Sequence, residues 1–131
     1  MPDGLSHVTA IAVSGFYSLA LKSDGTAVGW DFYEQTNVVN GLTNVVAIAT
    51  SASHSLALKS DGTVIAWGDN GYGQTTVPSK LHTVTAIAAG DSHSLAIGIN
   101  PPPFLPKATI PTTTGRVVAW GENSFRQISV R

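Results

Sequence analysis

The stretch Ser55-Leu56-Ala57-Leu58-Lys59-Ser60-Asp61-Gly62-Thr63-Val64-Ile65-Ala66-Trp67-Gly68 decides the fold of this chain. Leu56 and Leu58 alternate with smaller residues, as they do in a strand that packs on one face. Asp61-Gly62 is typical of a tight turn, because glycine adopts the positive φ that such turns need. A second apolar run then ends at Trp67. The stretch therefore predicts two short antiparallel strands joined by a hairpin turn.

The same unit occurs twice more in the chain. An upstream copy spans residues 18–30, and a downstream copy is split into residues 94–97 and 115–121. A short apolar strand precedes each copy, at Val8–Ala12, Val45–Ala49 and Val84–Ala88. Repeats of this length are typical of propellers and other repeat architectures, in which each unit buries its apolar faces on its neighbours.

The apolar pattern indicates how the units pack. Residues 45–49 and 64–67 are apolar on both faces of their strands, and the chain has no amphipathic helical stretch to cover them. Sheets stacked radially on copies of themselves cover both faces. We therefore predict an all-β fold of three four-stranded antiparallel propeller blades, with the fourth strand in segments such as Gln74–Pro78. The blades occupy approximately residues 1–37, 38–76 and 77–131 of one repeat domain, a partial propeller completed by oligomerisation or by a missing remainder.

Composition excludes several function classes. The chain has 131 residues, a net charge of −1, 11% charged residues and no cysteine. The absence of a basic stripe argues against a nucleic-acid partner and against binding to an anionic membrane. No apolar run is long enough to span a membrane, and Pro2-Asp3-Gly4 after Met1 does not resemble a signal peptide.

Several motifs resemble the repeat of the regulator of chromosome condensation 1 superfamily. They are His93-Ser94-Leu95-Ala96, residues 58–70 and Gly73-Gln74, and the resemblance extends over nearly the whole chain. It implies a propeller whose members typically close a seven-bladed ring and act through loops at its faces. Residues 73–78 further resemble bacterial secreted members, among them a propeller that inhibits β-lactamases, so an extracellular or cell-surface location is expected. The first copy differs most from the family's repeat pattern, because it has Tyr17 at the histidine position and Trp30-Asp31 in place of Trp-Gly.

The third copy carries an insert at residues 98–114. The other copies have a tight turn at this place, whereas the insert contains Pro101-Pro102-Pro103, Pro106, Pro111 and three threonines. Proline cannot donate a hydrogen bond to a sheet and favours extended chain, so we expect a long surface loop. Its two interpretations are a tolerated insertion and a binding or assembly loop.

The residues that could carry chemistry recur at fixed positions of the repeat. His54 and His93 each precede a serine, but a recurring pair favours a structural role at a blade junction over a catalytic one. Asp69-Asn70-Gly71 lacks the ligand spacing of a calcium loop. We therefore expect no enzymatic activity, no metal and no cofactor.

The candidate partner-binding residues are aromatic. The tryptophans at 30, 67 and 120 share one phase of the repeat, which favours a packing role. Aromatic side chains that break the repeat are better candidates, because aromatic residues on rigidly held loops dominate many protein interfaces. These candidates are Phe16, Tyr17, Phe32, Tyr33, Tyr72 and Phe125.

Three functions remain open from the sequence. The first is a protein-binding or scaffold module that self-associates head to tail. Three blades leave two apolar faces exposed, and the last residues of the chain occupy the same position in the repeat as the first ones. A dimer with six blades is the simplest closed ring. The second is an inhibitor of a secreted bacterial enzyme, implied by the resemblance. The third is that the chain is a fragment of a larger secreted propeller.

Overall fold

The computed structural model describes residues 5–15, 17–31, 42–99 and 115–124. Nine strands in these ranges form three antiparallel sheets of three strands, and no helix occurs among the described residues. The predicted all-β fold of three antiparallel units is therefore confirmed. Blade 1 contains β1 (Val8–Ser14), β2 (Tyr17–Lys22) and β3 (Ala27–Asp31); blade 2 contains β4 (Val45–Thr50), β5 (His54–Lys59) and β6 (Val64–Gly68); blade 3 contains β7 (His82–Ala89), β8 (His93–Ile99) and β9 (Arg116–Gly121).

The hairpin turn of blade 2 forms as its sequence predicts. The Gly62 N–H donates to the Lys59 carbonyl at 3.0 Å, and Gly62 has a φ of 82°. The Asp61 carboxylate accepts hydrogen bonds from the backbone N–H of Thr63 at 3.0 Å and from its hydroxyl at 2.6 Å. Blade 1 has the same arrangement around Gly25. These local bonds fix the register of the two strands that the turn joins.

Each blade has three strands in the described residues, where the sequence predicted four. In blade 2 the predicted fourth strand, Gln74–Pro78, is described and forms turns and irregular chain. Its backbone bonds are local, since Thr76 donates to the Gly73 carbonyl and Val77 to the Thr75 carbonyl. The backbone groups that a sheet ladder needs are thus already paired within the loop, and proline at 78 has no N–H to donate. The corresponding segments of blades 1 and 3 lie outside the described residues.

The three blades pack face to face in chain order, and the core consists of two apolar clusters between them. The first junction lies between blades 1 and 2, and the second junction lies between blades 2 and 3. Each receives two leucines from the middle strand of the earlier blade, and a leucine, a valine and an alanine from the later side. The first cluster contains Leu19, Leu21, Ala27, Leu42, Val45 and Ala57. The second contains Leu56, Leu58, Val64, Leu81, Val84, Ala96 and Trp120.

A backbone contact joins the turn of one blade to the first strand of the next. The Gly25 carbonyl accepts a hydrogen bond from the Val45 N–H at 2.9 Å, and the Gly62 carbonyl accepts one from the Val84 N–H at 3.0 Å. The residue before each receiving valine has a positive φ, 59° at Asn44 and 53° at Thr83. This left-handed residue lets the chain of the later blade approach the turn of the earlier one.

Blade 3 lacks the tight turn of the other blades. Strand β8 continues to Ile99, two residues into the predicted insert, and Ile99 pairs with His82. Residues 100–114 lie outside the described residues. The chain is described again from Gly115, which corresponds to Gly62 but does not have a positive φ.

Candidate interaction surfaces at the blade junctions

A chain of polar contacts crosses the second junction. His54 is buried, and its Nδ1 lies 2.8 Å from the Ser51 hydroxyl while its Nε2 lies 2.9 Å from the Ser94 hydroxyl of blade 3. The Ser94 hydroxyl donates to the Gln74 carbonyl at 2.8 Å, so it accepts from the Nε2–H of a neutral His54. The indole N–H of Trp120 donates to the same carbonyl at 2.9 Å. The two blades are therefore joined by directional bonds as well as by apolar packing.

The loop after β6 holds Gln74 in place for these bonds. Gln74 is fully buried; its side-chain amide donates to Asp69 at 3.0 Å and its side-chain oxygen accepts from the Tyr72 N–H at 2.9 Å. Asn70 accepts a bond from the Thr75 N–H on the other side of the loop. Asp69-Asn70, considered in the sequence as a calcium motif, thus orders a loop whose glutamine carbonyl binds the next blade.

The environment of His54 favours its neutral form. Burial holds the pKa of His54 below its ordinary value of 6.5. The charge of His93 lowers this pKa further, and the negative charge of Asp69 opposes the shift. The neutral ring is the form that donates from one nitrogen and accepts at the other, which is what the serines on its two sides require.

The first junction has the same apolar cluster but a different polar arrangement. Tyr17 occupies the position of His54, and its buried hydroxyl has no hydrogen-bond partner among the described residues. Burial raises the pKa of Tyr17; the Trp67 side chain, which lies near the hydroxyl without meeting hydrogen-bond geometry, opposes this shift, and the charge of Asp31 adds to it. Ser55, the counterpart of Ser94, has its hydroxyl 2.8 Å from that of Thr50 in its own blade. No polar chain comparable to that of the second junction crosses the described part of the first one.

The predicted aromatic residues fall in different places. Tyr17 is half-buried at the first junction, where it packs on the apolar cluster and against Gly29. Tyr72 lies beside the second junction and is 59% exposed, on the loop that holds Gln74. The structure does not bring these two together. Phe16, Phe32, Tyr33 and Phe125 lie outside the described residues. Partner binding by these residues stays a prediction.

Two end faces are left without a neighbouring blade in the described chain. We call the face of blade 1 that points away from blade 2 the leading face; cross-strand pairing places Ile11, Val13, Val28 and Trp30 on it. We call the face of blade 3 that points away from blade 2 the trailing face. It carries Ala86, Ala88, Leu95, Ile97 and Val117, which line a shallow apolar groove of about 230 Å³.

The end faces carry the residues that the internal junctions bury. On the trailing face Ile97 is 40% exposed, whereas Leu58, its counterpart in blade 2, is 4% exposed. On the leading face Ile11 is 73% exposed, whereas Ile48 and Ile87 are partly buried against the preceding blades. Residues at equivalent positions of the repeat are thus buried at the internal junctions and exposed on the end faces. Apolar patches of this kind are typical of interaction sites.

The sequence anticipated part of the junction. The junction role of His54 is confirmed, and its ring partners are the hydroxyls of two serines. The packing role of Trp120 is confirmed. Gln74 and the serines were missed, yet glutamine recurs at 35, 74 and 127, and serine at 18, 55 and 94. That shared phase was the signal that could have identified them.

The described residues contain no group of three or more histidines, aspartates and glutamates arranged to hold a metal ion. Within the same residues, no helix has the length and apolar character needed to cross a membrane.

Comparisons with known proteins identify the repeat. The Regulator of chromosome condensation (RCC1) repeat matches residues 45–74, which comprise β4, β5, β6 and the loop that ends at Gln74. No individual curated protein sequence matches the chain.

Several solved structures share the fold. The CRINKLY WD40 ectodomain of the Arabidopsis thaliana receptor kinase ACR4 superposes with a TM-score of 0.62 at 19% identity, over 92% of this chain and 41% of that one. Prp20p from Saccharomyces cerevisiae, described with its binding to Gsp1p and histones, gives a TM-score of 0.55 at 22% identity, over 74% and 32%. The C-terminal domain of gp131 from bacteriophage phiKZ gives 0.59 at 15% identity, over 95% and 40%.

These comparisons agree with the repeat pattern and with the blade geometry. The chain spans about a third to two fifths of the length of these solved structures. Its three stacked antiparallel sheets correspond to part of a propeller ring. Residues 45–74 therefore match an RCC1 repeat, and the described part of the chain has the fold of part of a β-propeller.

Proposed function

We propose that this chain is a non-enzymatic protein-interaction module whose two end faces bind a second copy of the chain head to tail. The observation that carries the proposal is the contrast in exposure between equivalent residues. Val117 on the trailing face is 47% exposed, and its counterpart Val64 is 9% exposed at the second junction. A side chain that is core in one blade and surface in the next marks a face that a further blade covers.

The two end faces are complementary because each repeats a face that already has a partner. Ile11 on the leading face corresponds to Ile48, which packs on blade 1. Leu95 on the trailing face corresponds to Leu56, which packs on blade 3. The leading face of one copy therefore fits the trailing face of another as blade 3 fits blade 2. Such a contact is heterologous, and two copies form a six-bladed ring if the rotation closes.

The expected affinity is modest. Burying an isoleucine or leucine side chain completely contributes about 1.5–3 kcal/mol, and the large residues of the end faces are already partly covered. The gain at two such junctions is opposed by a loss of translational and rotational freedom of similar size. We therefore expect association in the micromolar range.

Two observations on related folds bear on the proposal. Prp20p is described as binding Gsp1p and histones, which supports protein binding as a use of this fold. The share of the solved structures that the chain covers favours a second candidate, in which further blades of a longer polypeptide cover the same faces. An extracellular setting stays a prediction.

Sedimentation velocity of the 131-residue chain at tens of micromolar tests the proposal. The expected result is a species of twice the 13.6 kDa chain mass, or a larger multiple. Ile97→Asp places a charge in the apolar groove of the trailing face and is expected to return the chain to a monomer. Val46→Asp is the matched control, because Val46 is 54% exposed on the middle blade and lies on neither end face. A folded wild-type monomer at these concentrations overturns self-association and leaves the second candidate.

A further inference from the structure

We propose that the contact between copies is held in register by His93 of one copy and Ser18 of the next. This inference rests on the proposed head-to-tail association and adds the polar pair that orients it. The partner is a second copy of this chain, recognised through a histidine on its trailing face and a serine on its leading face.

The pair follows from the second junction. There the histidine at the start of β5 reaches the serine at the second position of β8, with 2.9 Å between His54 Nε2 and Ser94 Oγ. His93 begins β8 as His54 begins β5. Ser18 is the second residue of β2 and lies opposite Trp30, as Ser94 lies opposite Trp120. The leading face thus presents to an incoming copy the serine and tryptophan that blade 3 presents to blade 2.

The opposite end of the strands cannot set the register in the same way. In both internal junctions the carbonyl of a turn glycine with positive φ accepts a hydrogen bond from the next blade, at Gly25 and at Gly62. Gly115 stands at that position in blade 3, but its φ is not positive, and the tight turn is replaced by the long segment that begins after Ile99. Blade 3 therefore does not repeat this turn.

An apolar face alone is a weak determinant of register. The groove on the trailing face is lined by aliphatic side chains, which have no polar group to make a directional contact. Hydrophobic attraction is non-directional, so such a face permits docking in shifted positions. A hydrogen bond between His93 and Ser18 has a narrow range of distance and angle and selects one of them.

Dissociation constants from sedimentation equilibrium test the pair. His93→Ala and Ser18→Ala are each expected to weaken association about tenfold, because a ring contains the bond twice and a net hydrogen bond is modest. The double variant is expected to match either single variant and not their product, which is the mark of a direct pair. His82→Ala is the control, since His82 is an exposed histidine of the same blade, and its ring lies 2.8 Å from the hydroxyl of the adjacent Thr83. His93→Phe keeps a ring of similar size without its nitrogens and replaces His93→Ala if that variant does not fold.

The outcomes separate this inference from the proposed function. A monomeric wild-type chain overturns both. An associating wild-type chain that Ile97→Asp dissociates, but that neither His93→Ala nor Ser18→Ala weakens, overturns the polar pair and leaves head-to-tail association intact. Single effects that multiply in the double variant also overturn the pair, because the two residues then act independently.

Discussion

The two internal junctions share one apolar design and differ in their polar contacts. The second junction has a continuous chain of hydrogen bonds from Ser51 through His54 to Ser94 and Gln74. The first has Tyr17 at the histidine position, with a buried hydroxyl that has no hydrogen-bond partner among the described residues. Blades stack in both cases, so the polar chain is not required for stacking. It adds directional side-chain bonds to the second junction.

The largest effect is expected where apolar burial at the second junction is removed. Leu56→Ala deletes a fully buried side chain and is expected to reduce the free energy of unfolding by about 2–5 kcal/mol. Leu95→Ala is the matched variant, at the same repeat position on the trailing face, and is expected to reduce it by less than about 1 kcal/mol. Urea unfolding followed by tryptophan fluorescence measures both, at sub-micromolar concentration so that association does not cover Leu95. Equal losses would mean that the trailing face is not an open surface.

A smaller effect is expected where the polar contacts differ. His54→Ala leaves two serine hydroxyls at the second junction without their ring partner, and we expect a loss of about 1–3 kcal/mol. Tyr17→Phe removes a hydroxyl that has no hydrogen-bond partner in the described part of the chain, so its effect on the free energy of unfolding is expected to stay within about 0.5 kcal/mol of zero. Thermal unfolding of both variants against the wild type tests the contrast. A destabilised Tyr17→Phe protein would show that the hydroxyl has a stabilising partner.

The pH dependence of stability sharpens the same contrast. The folded-state pKa of His54 lies below 6.5, so the unfolded chain takes up a proton first as the pH falls. Stability from this residue is therefore full above pH 6.5 and is lost as the pH falls from there through the folded pKa. We expect His54→Gln to be less stable than the wild type at pH 7 and to have a shallower decline between pH 7 and 5. His82→Gln serves as the control and should keep the wild-type slope; an unchanged slope in His54→Gln would contradict the assignment.

The acidic range involves other residues. The pKa values of Asp24 and Asp61 are lowered, first by hydrogen bonds from the threonines two residues later. Their contribution is present above the ordinary pKa of 3.8 and is lost below it, as the folded-state pKa is crossed. The histidine and aspartate contributions therefore fall in separate pH windows.

The blade count and the hairpins could be predicted because they depend on local sequence. Asp61-Gly62 closes its turn with its own neighbours, and alternation around Leu56 assigns the buried face without knowledge of the rest of the chain. Histidine also recurs at one position of the repeat, at His54 and His93, and this recurrence indicated that His54 has a structural role. These features need only a few consecutive residues and their copies.

The polar chain could not be predicted because its members meet only in the folded protein. Gln74 and Trp120 are 46 residues apart, and Gln74 is held there by a loop that Asp69 and Asn70 order. The predicted fourth strand failed for the same reason, since side-chain and turn bonds in that loop replace ladder bonds. The left-handed residues at the starts of the blades, His7, Asn44 and Thr83, were also missed, because they share no residue type and a β-branched threonine rarely has a positive φ.

The smallest effect is expected at the left-handed residue of each junction. Here the first junction has the more favourable residue, whereas the polar contacts favour the second. Asn44 enters the first junction with a φ of 59°, whereas Thr83 enters the second with a φ of 53°. A β-branched side chain is strained in this region, and asparagine adopts it readily. Thr83→Asn is therefore expected to stabilise the chain by about 0.5–1 kcal/mol, with no change at the His54 contacts. Differential scanning calorimetry measures this gain. Asn44→Thr is the reciprocal variant and should lose a similar amount; a Thr83→Asn protein no more stable than the wild type would show that the Thr83 hydroxyl, 2.8 Å from His82 Nδ1, offsets the backbone strain.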